Sequence, residues 1–331
     1  MTTTAGTTGT STTASRSGRS GPARATRAGA TAARVDVRKT YKLYIGGAFP
    51  RSESGRSYAV HARSSTGRPG AFLANAAQGS RKDARDAVVA ARGAVAAWAG
   101  STAYNRGQVL YRVAEMMEGR SAQFASEVAA SEGLTPARAR ATVAAAIDRW
   151  VWYAGWSDKL AQVLGSLNPV AGPYFDISAP EPTGVVAVLA PQRSSLLGLV
   201  SVLAPVIVTG NTAVLLTSQD RPLPAITLSE VLATSDVPAG VVNIVTARTA
   251  EVAPWLAAHR DVNAIDLAGS AGVDGLAWGD LERAAADNVK RVLRPAGSGP
   301  DAVEPDWTQA PGLARMTAFL ETKTVWHPKG R

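Results

Sequence analysis

Beyond about residue 183 the chain alternates between short, almost wholly apolar runs and longer helix-patterned stretches, and few folds accept that rhythm. Val185 to Leu189, Thr212 to Leu216, Val241 to Val245 and Val262 to Leu267 have strand length and no continuous polar face. Such strands must be covered on both sides. Between them lie an apolar helical segment at about 195–208 and a helix opened by Pro222 and Pro224 that runs to about Thr234. Proline suits a first turn because the N–H it lacks would have no helical partner there. Strands alternating with helices predict an α/β fold: a parallel sheet with helices on both faces and right-handed crossovers. Lys290 to Leu293 is a candidate last strand. No internal repeat is visible.

Upstream the pattern is helical. Ser80 with Asp83 three residues later is a variant of the capping box. Ala84, Ala87, Val88, Ala91, Val95 and Trp98 follow at helical spacing, and a second helix carries Val109, Leu110, Val113, Met116 and Met117. Both stripes read as core packing. Trp150, Trp152, Tyr153 and Trp156 cluster further on, and two readings stay open for them: ordinary core, or anchors of an interface.

Cysteine is absent from all 331 residues, which removes disulfides, thiolate metal sites and cysteine nucleophiles together. It is compatible with a reducing compartment, and the cytoplasm is the expected location. No apolar run approaches the roughly 20 residues of a membrane span. Five of the nine net positive charges are Arg16, Arg19, Arg24, Arg27 and Arg34, in a Ser/Thr/Ala/Gly/Arg tail free of acids. Residues 1–39 are therefore expected to be a disordered basic tail. The same composition resembles a mitochondrial transit peptide. With no aromatics interleaved among these arginines, nucleic acid is not the expected partner.

Several segments resemble aldehyde dehydrogenases in family order. YKLYIGGAFPRSESGRSYAV (41–60) is similar to their N-terminal hairpin, DARDAVVAARGAVAAWAG (83–100) to their first helix, and YAGWSDKL (153–160) to the start of their oligomerisation hairpin. EPTGVVAVLAP (181–191), GNTAVLL (210–216) and VPAGVVNIVT (237–246) are similar to successive strands of their nucleotide-binding sheet. TKTVWHPKG (322–330) resembles the C-terminal strand that pairs with the hairpin of a neighbouring subunit. The resemblance implies a Rossmann-like domain over 40–149 and 179–300 and a small β oligomerisation module over 150–178 and 307–331. A connector at 301–306 stands where the family has its catalytic domain.

It also implies a chemistry whose residues are missing here. The family reaction needs a cysteine thiolate, an amide donor for the oxyanion, a carboxylate base and a nicotinamide nucleotide. The Pro-Trp-Asn-Phe-Pro turn that supplies the donor reads Pro191-Gln192-Arg193-Ser194-Ser195, so Arg193 replaces Asn. One lost oxyanion donor costs about 2.7–4 kcal/mol of transition-state stabilisation. The base position falls on Arg294, which accepts no proton. None of His61, His259 and His327 lies in a familiar nucleophile motif. The Lys and Glu that grip the adenosine ribose are Leu216 and Gln219, and a later glycine of the phosphate turn is Asp274. Gly269 and Ser270 keep that turn's small residues and are the candidate contacts to NAD or NADP, at the expected N-terminus of a helix. No metal site is expected. The resulting expectation is a pseudoenzyme: an assembly or regulatory subunit forming a homo- or hetero-oligomer with an aldehyde dehydrogenase. The alternative is an NAD(P)-binding oxidoreductase-family protein, of the aldehyde-to-carboxylate type, with residual or sensing function.

Overall fold

The computed structural model describes residues 9–10, 39–64, 69–297 and 303–330. The expectation of a disordered tail over 1–39 falls, save for residues 9, 10 and 39, outside the described residues.

The body opens with three short strands, β1 (Thr40–Tyr41), β2 (Ser57–His61) and β3 (Phe72–Ala77), in the order β1-β3-β2. Four helices follow: α1 (Arg81–Gly100), α2 (Ala103–Glu118), α3 (Ser121–Glu132) and α4 (Pro136–Ala154). The predicted capping box opens α1: the Ser80 hydroxyl accepts from the Lys82 and Asp83 amides, and Asp83 accepts from the Ser80 amide at 2.8 Å. Asp83 is also held by Ser52 Oγ at 2.8 Å and the Glu53 amide at 3.0 Å, so the cap ties the N-terminal strands to the helix layer. A short α5 (Leu160–Leu164) leads into β4 (Ser166–Asn168) and β5 (Tyr174–Pro182).

The alternating half begins with β6 (Val185–Leu189), α6 (Leu197–Val208) and β7 (Thr212–Leu216). It continues with α7 (Leu223–Leu232), β8 (Val242–Val245), α8 (Thr249–Ala258), β9 (Ala264–Asp266), α9 (Trp278–Ala286) and β10 (Arg291–Leu293). Two further elements, α10 (Ala314–Thr317) and β11 (Leu320–Pro328), complete the described fold. The five strands β10-β9-β6-β7-β8 form one sheet, parallel throughout. Strand alternation splits the core into two layers. Val185, Ala187, Leu189, Val214 and Leu216 pack with α1, α8 and α9. Val186, Val188, Ala213 and Leu215 pack with α2, α4, α6 and α7.

Two expectations change in the small module. Trp150, Trp152 and Tyr153 do not open a hairpin; they belong to α4, with Trp150 and Tyr153 fully buried against the other helices. Helical spacing puts both rings on the apolar stripe, which decides for the core reading. Trp152 and Trp156 pack at its margin, with ring centroids 5.6 Å apart. The hairpin proper starts at Ser166. The strand containing Thr322–Pro328, expected against a neighbouring subunit, pairs within its own chain: β11 runs antiparallel to β5 from Leu320 opposite Pro182 to Pro328 opposite Tyr174. Nine aligned residue pairs leave no vacancy on that side of β5, and β11 becomes the edge of the small sheet.

Candidate functional site

In an open parallel sheet ligands sit outside the carboxyl ends of the strands, where the order of connection reverses. Here the chain builds β7 and β8 on one side of β6 and then crosses to β9 on the other, so the crevice lies between the ends of β6 and β9. The loops after these strands carry Gln192 and Arg193, and Gly269 and Ser270.

Gln192 fills this crevice. Its amide nitrogen donates to the carbonyl of Ala190 at 3.0 Å and of Gly269 at 3.3 Å. Its amide oxygen accepts the backbone N–H of Gln219 at 3.0 Å, and its own carbonyl accepts Ser218 Oγ at 3.0 Å. One side chain thus joins the carboxyl ends of β6, β7 and β9. Gly269 is pressed onto the end of β6: a Cβ there would stand 2.0 Å from the Ala190 carbonyl oxygen, so only glycine fits. Ser270 turns inward, its hydroxyl donating to the Leu267 carbonyl at 2.7 Å. The helix expected to open at these residues is a single 3-10 turn, Ala268–Ser270, and α9 begins only at Trp278. The intervening loop, with Asp274 exposed on it, takes the place of the helix terminus that would face an anion.

The segment after residue 302 closes the same edge. Glu304 accepts the backbone N–H groups of both Gln192 and Arg193, the latter at 2.8 Å. Arg315, from α10, donates to Asp266 at the end of β9 at 2.6 Å. Asp266 is fully buried; burial raises its carboxyl above the ordinary range while Arg315 and the Ala268 amide pull the other way. The short, charge-assisted contact argues that the pair is ionised. Arg315 also lies over the Trp307 ring, 5.0 Å from its centroid. From α4, Arg149 reaches Ser201 Oγ at 2.7 Å and the carbonyls of Trp307 and Gln309, each at 2.9 Å. Two arginines therefore anchor this segment over α6 and the sheet edge.

The family-aligned positions are scattered. Arg193 exposes its side chain, and its carbonyl accepts from Arg221. Arg294 lies at the far end of β10, exposed and paired with Glu282 at 2.7 Å, which raises its guanidinium above the ordinary value. Leu216 belongs to the core layer beneath α1 and α8. Ser194 and Ser195 are engaged elsewhere: Ser194 Oγ accepts the Gly198 amide at 2.9 Å, and Ser195 donates to Glu132 at 2.7 Å. His61 ends β2, His259 follows α8 and His327 lies on β11, so no imidazole completes a nucleophilic pair with either serine. Among the described residues no group of three or more His, Asp and Glu side chains is placed to hold a metal. At this crevice Gln192 and Glu304 direct their polar atoms to the chain's own backbone, and Gly269 is in close contact with Ala190.

Sequence reasoning missed Gln192, Glu304 and the Asp266–Arg315 pair. Arg149 carried a signal: a charge on the stripe of α4 that also holds Ile147 and Trp150 must find buried acceptors.

The aldehyde dehydrogenase family model matches residues 52–301. An aldehyde dehydrogenase of Arabidopsis thaliana, the mitochondrial family 2 member B4, is 31% identical over 84% of this chain and 51% of its own length. Omega-crystallin of Enteroctopus dofleini is 28% identical over 81% of this chain and 53% of its own length. The crystal structure of HpcC from Thermus thermophilus superposes with a TM-score of 0.71 at 28% identity, covering 77% of this chain and 47% of that one. The chain spans about half the length of the curated relatives it matches.

Proposed function

The chain belongs to the aldehyde dehydrogenase family, and from that premise we propose that it is a non-catalytic member acting as an assembly or regulatory subunit. Its partner is an active aldehyde dehydrogenase or a second copy of itself. The observation that carries the reading is the closed carboxyl edge: Gln192 and Glu304 spend their polar atoms on the chain's own backbone where the fold would receive a ligand. The absence of cysteine anywhere in the chain supports it from the side of chemistry.

The small sheet β4-β5-β11 supports the assembly half of the reading. Leu167, Ile177 and Val325 stand opposite one another in register and form an apolar row across all three strands. All three are exposed, Leu167 at 67%. Exposed apolar rows on a sheet face are surfaces for association.

Co-purification from the native source, with an affinity tag in the N-terminal tail, tests the proposal. A stoichiometric full-length aldehyde dehydrogenase, or a self-associated species by sedimentation, is the expected result. Deletion of 320–331 abolishes either. A monomer that co-purifies with nothing, or turnover of short aldehydes with NAD or NADP by the isolated chain, overturns it.

A further inference from the structure

In the small sheet β11 stands last in the order β11-β5-β4, and among the described residues no strand pairs with its outer edge. That edge is long and regular. Its register with β5 runs through nine residues without a bulge, and Glu321 to Pro328 are all exposed. Edge strands in folded proteins are ordinarily short, bulged or covered, because an open row of N–H and C=O groups is a template for another strand.

Which groups are open follows from the pairing. The Thr183 amide donates to the Phe319 carbonyl at 3.2 Å, and the Lys329 amide to the Pro173 carbonyl at 2.7 Å. Hydrogen-bonding direction alternates along an antiparallel strand, so the odd-numbered residues of β11 bond to β5. The N–H and C=O groups of Leu320, Thr322, Thr324 and Trp326 therefore point outward, with the carbonyl of Pro328.

We propose that β11 pairs antiparallel with the β11 of a second copy of this chain, about a two-fold axis, so that two three-stranded sheets become one of six. The inference rests on the assembly reading above and fixes its partner as a second copy. Outward-facing residues must meet outward-facing residues, so near the middle of the strand the axis passes through Lys323, Thr324 or Val325. An axis at Lys323 sets two ammonium groups side by side, which is destabilising. An axis at Thr324 sets Lys323 against Val325 and interrupts the apolar row with charge. An axis at Val325 sets that side chain against its own copy, and the row of Leu167, Ile177 and Val325 runs unbroken across the junction. The same register places Glu321, which touches Arg291 at 3.6 Å in its own chain, opposite Lys329 of the second copy. Lys323 falls opposite His327 of the second copy with its charge already met by Glu181 at 2.9 Å. Apolar continuity and charge complementarity thus select one register.

The chain has no cysteine, so a single introduced thiol reports a single contact. In this register Val325 and its copy form a non-hydrogen-bonded pair with Cα atoms about 4.5 Å apart, within reach of a disulfide. Full-length Val325→Cys is expected to give a covalent dimer on a non-reducing gel after mild oxidation. Lys323→Cys lies about 13 Å from its copy along the strands, and Leu167→Cys sits two strands from the junction, so neither cross-links. Thr322→Pro takes no bond from β5, but it removes an outward donor and turns its ring toward the incoming strand. It is expected to weaken self-association in sedimentation equilibrium roughly tenfold or more while the monomer keeps its unfolding midpoint. A dimer of Leu167→Cys without one of Val325→Cys means that the sheets meet face to face, which overturns the self-pairing and leaves the assembly reading standing. Unchanged association of Thr322→Pro overturns the self-pairing in the same way. A chain that stays monomeric in sedimentation and cross-links in no variant also overturns it, and the assembly reading then stands or falls on the co-purification of a different chain.

Discussion

The carboxyl edge of the parallel sheet and the face of the small sheet β4-β5-β11 are built on opposite plans. At the first, polar groups are satisfied from within: Gln192 joins three strand ends, Glu304 caps the loop after β6, and Arg315 neutralises Asp266. At the second, β11 pairs with β5 through nine aligned residues, but the side chains of Leu167, Ile177 and Val325 are left to solvent. At the carboxyl edge the hydrogen bonds run inward, to the chain's own backbone. On the small sheet an apolar row stands exposed in register, the kind of surface that suits association.

The sharpest way to break the contrast is Asp266→Ala. It leaves Arg315, half of a deeply set pair, without its counter-charge, and a loss of about 3–5 kcal/mol is expected in denaturant unfolding. A loss within the range of an ordinary surface change would show that the segment after residue 302 does not hold the edge closed. Gln192→Ala comes next. Freeing the groups that this amide satisfies is expected to cost about 1–3 kcal/mol, without creating dehydrogenase activity. Ile177→Lys sharpens the other side of the comparison. It places a charge in the middle of the apolar row, so association measured by sedimentation weakens roughly tenfold, about 1.4 kcal/mol, while the unfolding midpoint of the monomer hardly moves. If the midpoint falls by several degrees and association is unchanged, the row is core rather than interface.

The smallest expected effect is on pH. Burial, outweighing the two Ser195 donors, raises the Glu132 carboxyl above the ordinary value. The folded chain then holds this proton to a higher pH than the unfolded chain does. Its contribution is fully present below the unfolded value and is lost as pH rises through the folded one. Glu132→Gln should flatten stability over that window, in a urea series at stepped pH. A slope that persists would assign it to another buried acid such as Glu127, also raised mainly by burial.

Strand and helix positions were legible because they depend on local pattern. Val185–Leu189 and Thr212–Leu216 are strands to the residue, and Ser80 with Asp83 opens α1 as its spacing predicts. The aromatic cluster at 150–156 was ambiguous because ring type alone does not say which surface a stripe meets; the packing of α4 against α2, α3 and α6 decides it. How the carboxyl edge is filled was not legible. Gln192 and Glu304 are separated by 112 residues, and no periodicity links a glutamine in one loop to a glutamate in another.

The register between β5 and β11 also has a consequence in time. Ser178 meets Thr324 across 146 residues, so the small sheet closes over a long loop, and closure entropy makes such pairings late events. From its own synthesis until β11 is made, β5 therefore presents an unpaired edge, while the parallel sheet assembles from nearer neighbours. Whether that edge is met by its own β11 or by the same strand of another nascent chain is then set by how fast the intervening residues compact, and not by any difference in the bonds formed.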